Sequence, residues 1–348
     1  MSREQFTQLL QKTKEPELKY GLGVKFDIKF PQPVAKTTNS YKIISSDATI
    51  KPLEQNSKIH SIIKPDENKF TLTNASMWNH GIEITIPRKK DCQVVIEQNC
   101  DEETISRILI IAEKDSSATV IIKSSGNSYK NEMIEVIAEE NSKLKIATLG
   151  NFQSDSINIS VARAEVKKNA SVDWLRTNFG GKFSEIENTS LLNEQGASSK
   201  NFGILFGKEN EQIDMYAASL HNAPNTNSDI FIRGVLDDKS KAMIRGLVRI
   251  DKTAGNSNGY QKEDILILSE NAEGDSIPQL DINNHDVKCS HGATLGTVDK
   301  QQLFYLMTRG LNKEQASFII VSGFFSPVFQ RSNFGVEKEI QEIVNKRL

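Results

Sequence analysis

A short polar phrase returns along the middle of this chain at nearly constant intervals, and that regularity limits the possible folds more than any other feature. The phrase is two polar residues, then Asn, Ser or Gly, then a small residue, then a strand-like run. It stands at Asp115-Ser116-Ser117-Ala118, Glu140-Asn141-Ser142, Lys168-Asn169-Ala170, Gln195-Gly196-Ala197, Asp238-Lys239-Ser240 and Asn271-Ala272. From Ser117 through Ser142 and Ala170 to Ala197 the steps are 25, 28 and 27 residues. Evenly spaced corners suit a solenoid, in which each coil buries its inner face against the next.

The runs between the corners alternate. Ile82, Ile84 and Ile86, then Ile157, Ile159 and Val161, follow a period of two. The clearest case is Ala242, Ile244, Gly246, Val248 and Ile250, interleaved with Arg245 and Arg249, which puts one set on a core face and the arginines in water. From about residue 45 to 285 no helix of ten or more residues is expected. Pattern alone leaves a β-solenoid beside a sandwich or jelly roll, which also use many short strands.

Both ends read differently. Phe6, Leu9 and Leu10 predict a short amphipathic helix from about Ser2 to Lys12. Pro31, Pro33 and the run Lys36–Ser40 predict a loop or hinge. Near the other terminus, Asp299 with Gln302 predicts a capping box, Leu303, Phe304, Leu306 and Met307 an apolar face, and Gly310 a stop. Asn312 with Gln315 repeats the cap and opens a second helix, expected to end near Gly323 before Pro327 breaks the chain. Val336, Ile340, Ile343 and Val344 mark a third.

Composition removes several functional classes. The 348 residues carry 43 Lys plus Arg against 45 Asp plus Glu, a formal charge of −2, which does not suit a nucleic-acid protein. No run approaches the ~20 apolar residues of a membrane span. The opening thirty residues lack the apolar core of a secretory signal. Three cysteines, Cys92, Cys100 and Cys289, are too few for a disulfide framework, so a reducing cytoplasm is the expected location. Gly180-Gly181-Lys182 lacks the remaining residues of a phosphate-binding loop, so no nucleotide is expected on this chain. With no G-x-S-x-G, H-E-x-x-H or C-x-x-C either, it is not expected to be an enzyme by itself.

Reactive side chains concentrate in His285-Asp286-Val287-Lys288-Cys289-Ser290-His291-Gly292-Ala293-Thr294. Cys289 and His291 are two apart, so in an extended segment they share a face about 6–7 Å apart. A thiolate beside an imidazole suits iron or zinc, yet a closed tetrahedral site needs four ligands. A metal here is therefore transient or shared with another chain; the bland alternative is a buried thiol beside a hydrogen-bonded imidazole. His60 and His80 read as structural or solvated, His221 as part of a turn, and Cys92 and Cys100 as buried thiols.

The run from Ile277-Pro278-Gln279-Leu280-Asp281-Ile282 through Asp286-Val287-Lys288-Cys289-Ser290-His291-Gly292-Ala293-Thr294-Leu295-Gly296 resembles the SufB/SufD family of iron–sulfur cluster assembly scaffolds. The likeness continues through Leu303-Phe304-Tyr305-Leu306, Arg309-Gly310, Ala316 and Gly323-Phe324. Upstream it is weaker, at His221 with Ser228, Gly234-Val235-Leu236 and Arg245–Ile250. The C-S-H-G-A-T form looks SufD-like, or like a minimal undifferentiated SufB/SufD-type protein.

The resemblance implies a mainly β chain: a right-handed parallel β-helix between an N-terminal segment and a small C-terminal helical domain. The expected divisions are an N-terminal helix and linker over 1–45, the β-helix over 46–297 and a helical domain over 298–348. It implies two partners, the SufC ABC ATPase on the C-terminal helices and a SufB-like or SufD-like paralogue, or a second copy of the chain, along the β-helix. Leu303, Phe304, Tyr305, Arg309, Gly310 and Phe324 become SufC-contact candidates. Cys289 and His291 become candidates for a transient iron–sulfur cluster or iron at the dimer interface. One departure stands out: no cysteine lies between Asp101 and Lys288, where SufB carries the one that accepts persulfide sulfur. The competing reading is a β-helix carbohydrate lyase or hydrolase; a third is a purely structural solenoid.

Overall fold

The computed structural model of the chain describes residues 3–13, 24–26, 28, 30, 41–54 and 60–348. The corner phrases turn out to be literal corners. Asp115 (φ 62°), Asn141 (62°), Asn169 (55°) and Gly196 (77°) are left-handed, a region that Asn, Asp and Gly enter at least cost. Asn225 (59°) and Asn256 (56°) extend the series. Each corner hydrogen-bonds to the next: the amides of Asp115, Asn141 and Asn169 donate to the carbonyls of Glu140, Lys168 and Gln195, all at 3.0 Å. The Asn141 side chain also donates to Asp115 Oδ1 at 2.9 Å.

Between corners the chain runs alternately through two sheets, each of nine strands among the described residues. Sheet I holds β1 (Tyr41–Ser46), β4 (Asp91–Asn99), β6 (Ser117–Gly126), β8 (Lys143–Phe152), β10 (Ser171–Phe179), β12 (Ser198–Gly207), β14 (Asn227–Leu236), β16 (Ser257–Ile267) and β18 (Val287–Thr297). Sheet II holds β2 (Thr49–Pro52), β3 (His80–Ile86), β5 (Thr104–Ala112), β7 (Tyr129–Ala138), β9 (Ile157–Val166), β11 (Phe183–Leu192), β13 (Gln212–His221), β15 (Lys241–Ile250) and β17 (Glu273–Ile282). From β3 and β4 onward all pairs are parallel and in register. Ile146, Trp174, Asn201 and Ile230 therefore stack as one inward ladder. The result is a parallel β-solenoid of about eight turns, with 52% of the described residues in strands. Its interior is filled by residues such as Ile84, Val94, Val136, Ile146 and Ile244, all fully buried.

The two ends are built differently. At the first, β1 and β2 pair antiparallel with β4 and β3 and close both sheets. At the last, β17 and β18 terminate the two sheets, with no strand beyond either among the described residues.

Helices cover the outer faces. α1 (Arg3–Leu10) seats Phe6 on Leu72 and Ala75 of α2 (Lys69–Met77). α2 was not anticipated within the β region; its capping box is Asn68 with Thr71. Phe70 of α2, with Phe26, Ile28 and Phe30, packs on the outer residues Ile105, Tyr129, Ile157 and Phe183 of sheet II. The predicted loop at Pro31, Pro33 and 36–40 lies outside the described residues.

The C-terminal helices are α3 (Lys300–Thr308), α4 (Lys313–Arg331) and α5 (Glu337–Arg347). Asn312 and Gln315 form the expected box, and Gly310 turns at φ +95°. Two expectations fail. Asp299 caps α3 by accepting from the Gln301 amide, without a reciprocal Gln302 bond. α4 runs past Gly323 and through Pro327 instead of ending. A proline inside a helix removes one backbone bond at about 3 kcal/mol. Val321, Phe325 and Val328, fully buried against Phe202, Phe206 and Phe231 of sheet I, each return roughly 1.5–3 kcal/mol, which offsets it. No helix among the described residues is long and apolar enough to cross a membrane.

Candidate functional site

Cys289 and His291 both lie on β18, in register with Gly259 and Gln261 of β16. Alternation turns Cys289, His291, Ala293 and Leu295 to the side that faces inward in earlier rungs. Among the described residues no rung follows, so this side forms the open mouth of the solenoid. Cys289 is half-buried against the apolar cluster that includes Val248 and Ile230. His291 is exposed, and Leu295 is 59% exposed. The pair thus shares one face, as the C-x-H spacing predicts, with the thiol rooted in the core and the imidazole toward solvent.

Burial pushes the Cys289 thiol above its ordinary value, so at neutral pH it is protonated. A thiolate there requires a cation to replace the proton, which is how a soft metal binds. Two ligands are available from β18. Among the described residues no set of three or more His, Cys, Asp or Glu side chains converges around a metal position. The neighbouring Asp286 has a different duty: its carbonyl accepts from the Asn256 amide at 2.7 Å and closes the corner ladder. His285 is exposed.

One rung beneath lies a group the sequence reading overlooked. Glu263 of β16 is fully buried, and burial pushes its carboxyl to about 7. Its Oε2 accepts from Ser276 Oγ at 2.5 Å, while Oε1 and Gln261 Oε1 lack partners. Gly246 makes room for them, since a Cβ there would stand 2.1 Å from Glu263 Oε1 and 2.4 Å from Gln261 Oε1. A carboxyl poised near neutrality beneath a Cys–His pair can take up a proton at that site. The signal was available: Glu263 has inward parity in β16, where a charged residue is unusual.

The other histidines and cysteines are structural. His221, buried at the end of β13, bonds through Nδ1 to Thr226 Oγ1 at 2.7 Å and through Nε2 to Ser228 Oγ at 2.8 Å. His60 packs on Phe6 at 5.7 Å and His80 on Tyr41 at 4.0 Å. Cys92 and Cys100 are buried thiols, the latter pushed to about 11 by burial.

The six candidates on the C-terminal helices separate. Phe304 and Tyr305 are exposed at 69% and 55%, beside Met307 and Ile319, and Arg309 stacks on Tyr305 at 4.9 Å. Tyr305, Leu306, Ile319 and Ile320 line a cleft of about 590 Å³ between α3 and α4. Gly310 is the turn between those helices. Leu303 lines a different groove with Leu268 and Val298. Phe324 is half-buried beneath the Arg233 guanidinium at 4.7 Å, against the solenoid.

A family model described as SUF system FeS cluster assembly, SufBD core domain, matches residues 94–324. Among curated proteins, a Staphylococcus saprophyticus iron–sulfur cluster assembly SufBD family protein is 28% identical over 277 residues, 77% of this chain and 60% of the relative. A Staphylococcus epidermidis protein of the same description gives the same figures. The iron–sulfur cluster assembly protein SufB of Bacillus subtilis is 26% identical over 294 residues, 81% of this chain and 63% of the relative. The match thus spans about three-fifths of these relatives' length.

Proposed function

The chain belongs to the SufBD core family of SUF-system iron–sulfur cluster assembly proteins, and from that premise we propose that it is a non-enzymatic scaffold subunit. In this reading a SufB-like or SufD-like partner, or a second copy, joins the last rung of its solenoid. SufC docks on its C-terminal helices, and ATP-driven motion of SufC opens the junction for assembly. The cluster is the cargo, held in passing by Cys289 and His291 together with ligands from the joined chain.

One observation carries the proposal: the Cys–His pair sits on the terminal strand, at an end left open among the described residues, while the opposite end is closed by antiparallel strands. An unpaired edge is a template for another strand. Leu295 and Ile282, exposed at that end, supply apolar area for a join. The exposed Phe304, Tyr305, Met307 and Ile319 suit a protein partner. The departure at the persulfide-accepting cysteine favours a SufD-like or minimal role over that of SufB. Co-expression with SufC and anaerobic purification tests the reading. A SufC-containing complex that gains visible iron–sulfur absorbance is expected; a chain that stays alone and colourless refutes it.

A further inference from the structure

Arg233 of β14 holds two elements at once. Its Nη1 donates to the Phe324 carbonyl of α4, and its Nη2 pairs with Asp264 Oδ2 of β16 at 3.2 Å. The guanidinium lies between two rings, 5.2 Å from Phe231 and 4.7 Å from Phe324. This double hold is incomplete. Arg233 Nε and Asp264 Oδ1 are both buried with no partner among the described residues. Sheet II shows the complete form of such a pair: Arg245 Nε and Nη2 meet the two oxygens of Asp214, each at 2.9 Å. A side-on pairing of Arg233 with Asp264 would satisfy both orphaned atoms in the same way, but it turns the fork away from Phe324. Two arrangements thus compete, and each forgoes a bond that the other makes.

The carbonyl that Arg233 reaches lies at the weakest point of α4. Pro327 has no N–H, so the Gly323 carbonyl four residues back lacks its helical donor, and glycine is itself a poor helix former. Beyond that point the helix is fixed to the solenoid: Phe325 and Val328 are fully buried on sheet I, and Arg331 pairs with Asp229. Before it the hold is slight. Val321 is the foothold on sheet I, and α3 has no buried residue. We propose that Arg233 is a two-position latch. Bonded to the Phe324 carbonyl, it holds the α3–α4 hairpin against the solenoid; turned side-on to Asp264, it lets residues 300–322 swing about Gly323. Asp264 is in register with Thr294 of β18, the strand of Cys289 and His291, so the latch lies one strand from the candidate site. That a partner seated on Phe304 and Tyr305 works the latch rests on the scaffold role; the latch itself belongs to this chain alone.

Hydrogen–deuterium exchange on the full chain, without any partner, tests it. Arg233→Lys replaces the fork with a single nitrogen that cannot span both elements, so amides 300–323 should exchange severalfold faster while α5 keeps the wild-type rate. Asp264→Asn removes the charge that draws the fork away from α4, and the same amides should exchange severalfold slower. A merely structural ion pair would loosen in both variants. Faster exchange in Asp264→Asn therefore overturns the proposal, and so do unchanged rates in either variant. Should one variant fail to fold, the other decides. With no partner present, failure of the latch leaves the scaffold role standing.

Discussion

Gly259 and Cys289 oppose each other across the last two rungs of sheet I, and a Cβ built on Gly259 would stand 3.3 Å from Cys289 Sγ and 2.5 Å from Val248 Cγ1. The glycine is what lets the thiol root itself in the core. Val248 is fully buried and cannot retreat freely. Gly259→Ala should therefore cost about 1–3 kcal/mol, the usual range for overpacking. It should also lever the Cys289 side chain outward. Faster alkylation of the thiol in the folded protein, with a lower denaturation midpoint, is the expected result. Unchanged alkylation would mean that Gly259 does not set the depth of the thiol.

The exposed imidazole can be removed without touching the core. His291→Ala should keep the fold within about 0.5 kcal/mol, as surface changes usually do. Iron–sulfur absorbance after anaerobic reconstitution of the complex should fall severalfold, and Cys289→Ser should lower it too. Normal loading of both variants would remove the pair from the site.

Phe304 and Phe325 separate docking from folding. Phe304 is 69% exposed and Phe325 fully buried. Phe304→Asp should leave the melting curve unchanged and abolish SufC capture in a pull-down. Phe325→Ala should instead cost about 3–5 kcal/mol by opening a cavity under α4. If Phe304→Asp still captures SufC, the docking face lies elsewhere.

Corners were readable in the sequence because their chemistry is local: left-handed Asn141, Asn169 and Gly196 need no distant partner to choose that conformation. The shared face of Cys289 and His291 followed from the same local rule, the period of two. What could not be read depends on contacts far along the chain. α4 survives Pro327 because Val321, Phe325 and Val328 find Phe202, Phe206 and Phe231 of sheet I, 90 to 126 residues earlier in the chain. Lys130 and Arg176 have the appearance of surface residues until the coil closes over them. Glu263 lies between: its inward parity was visible, but its shift toward neutrality depends on desolvation by the rungs around it.

Two buried groups should pull the pH dependence of stability in opposite directions. Burial lowers His221 from 6.5 to about 4, so the unfolded chain takes up that proton first. Its stabilising contribution is present above pH 6.5 and is lost as pH falls toward 4. Glu263 runs the other way. Raised from 4.5 to about 7, it binds its proton more tightly when folded, so its contribution is present below pH 4.5 and lost as pH rises through 7. Each shift corresponds to roughly 3 kcal/mol over its full window, and between pH 4.5 and 6.5 the two slopes largely cancel. Urea denaturation of the wild type and of two single variants from pH 4.5 to 8 isolates them. Glu263→Gln should gain stability relative to wild type as pH rises toward 8 and lose it more steeply in acid. His221→Gln should be weaker at neutral pH but recover relative to wild type as the solution is acidified. Difference curves that stay flat across the window would mean that neither group carries the burial cost assigned to it.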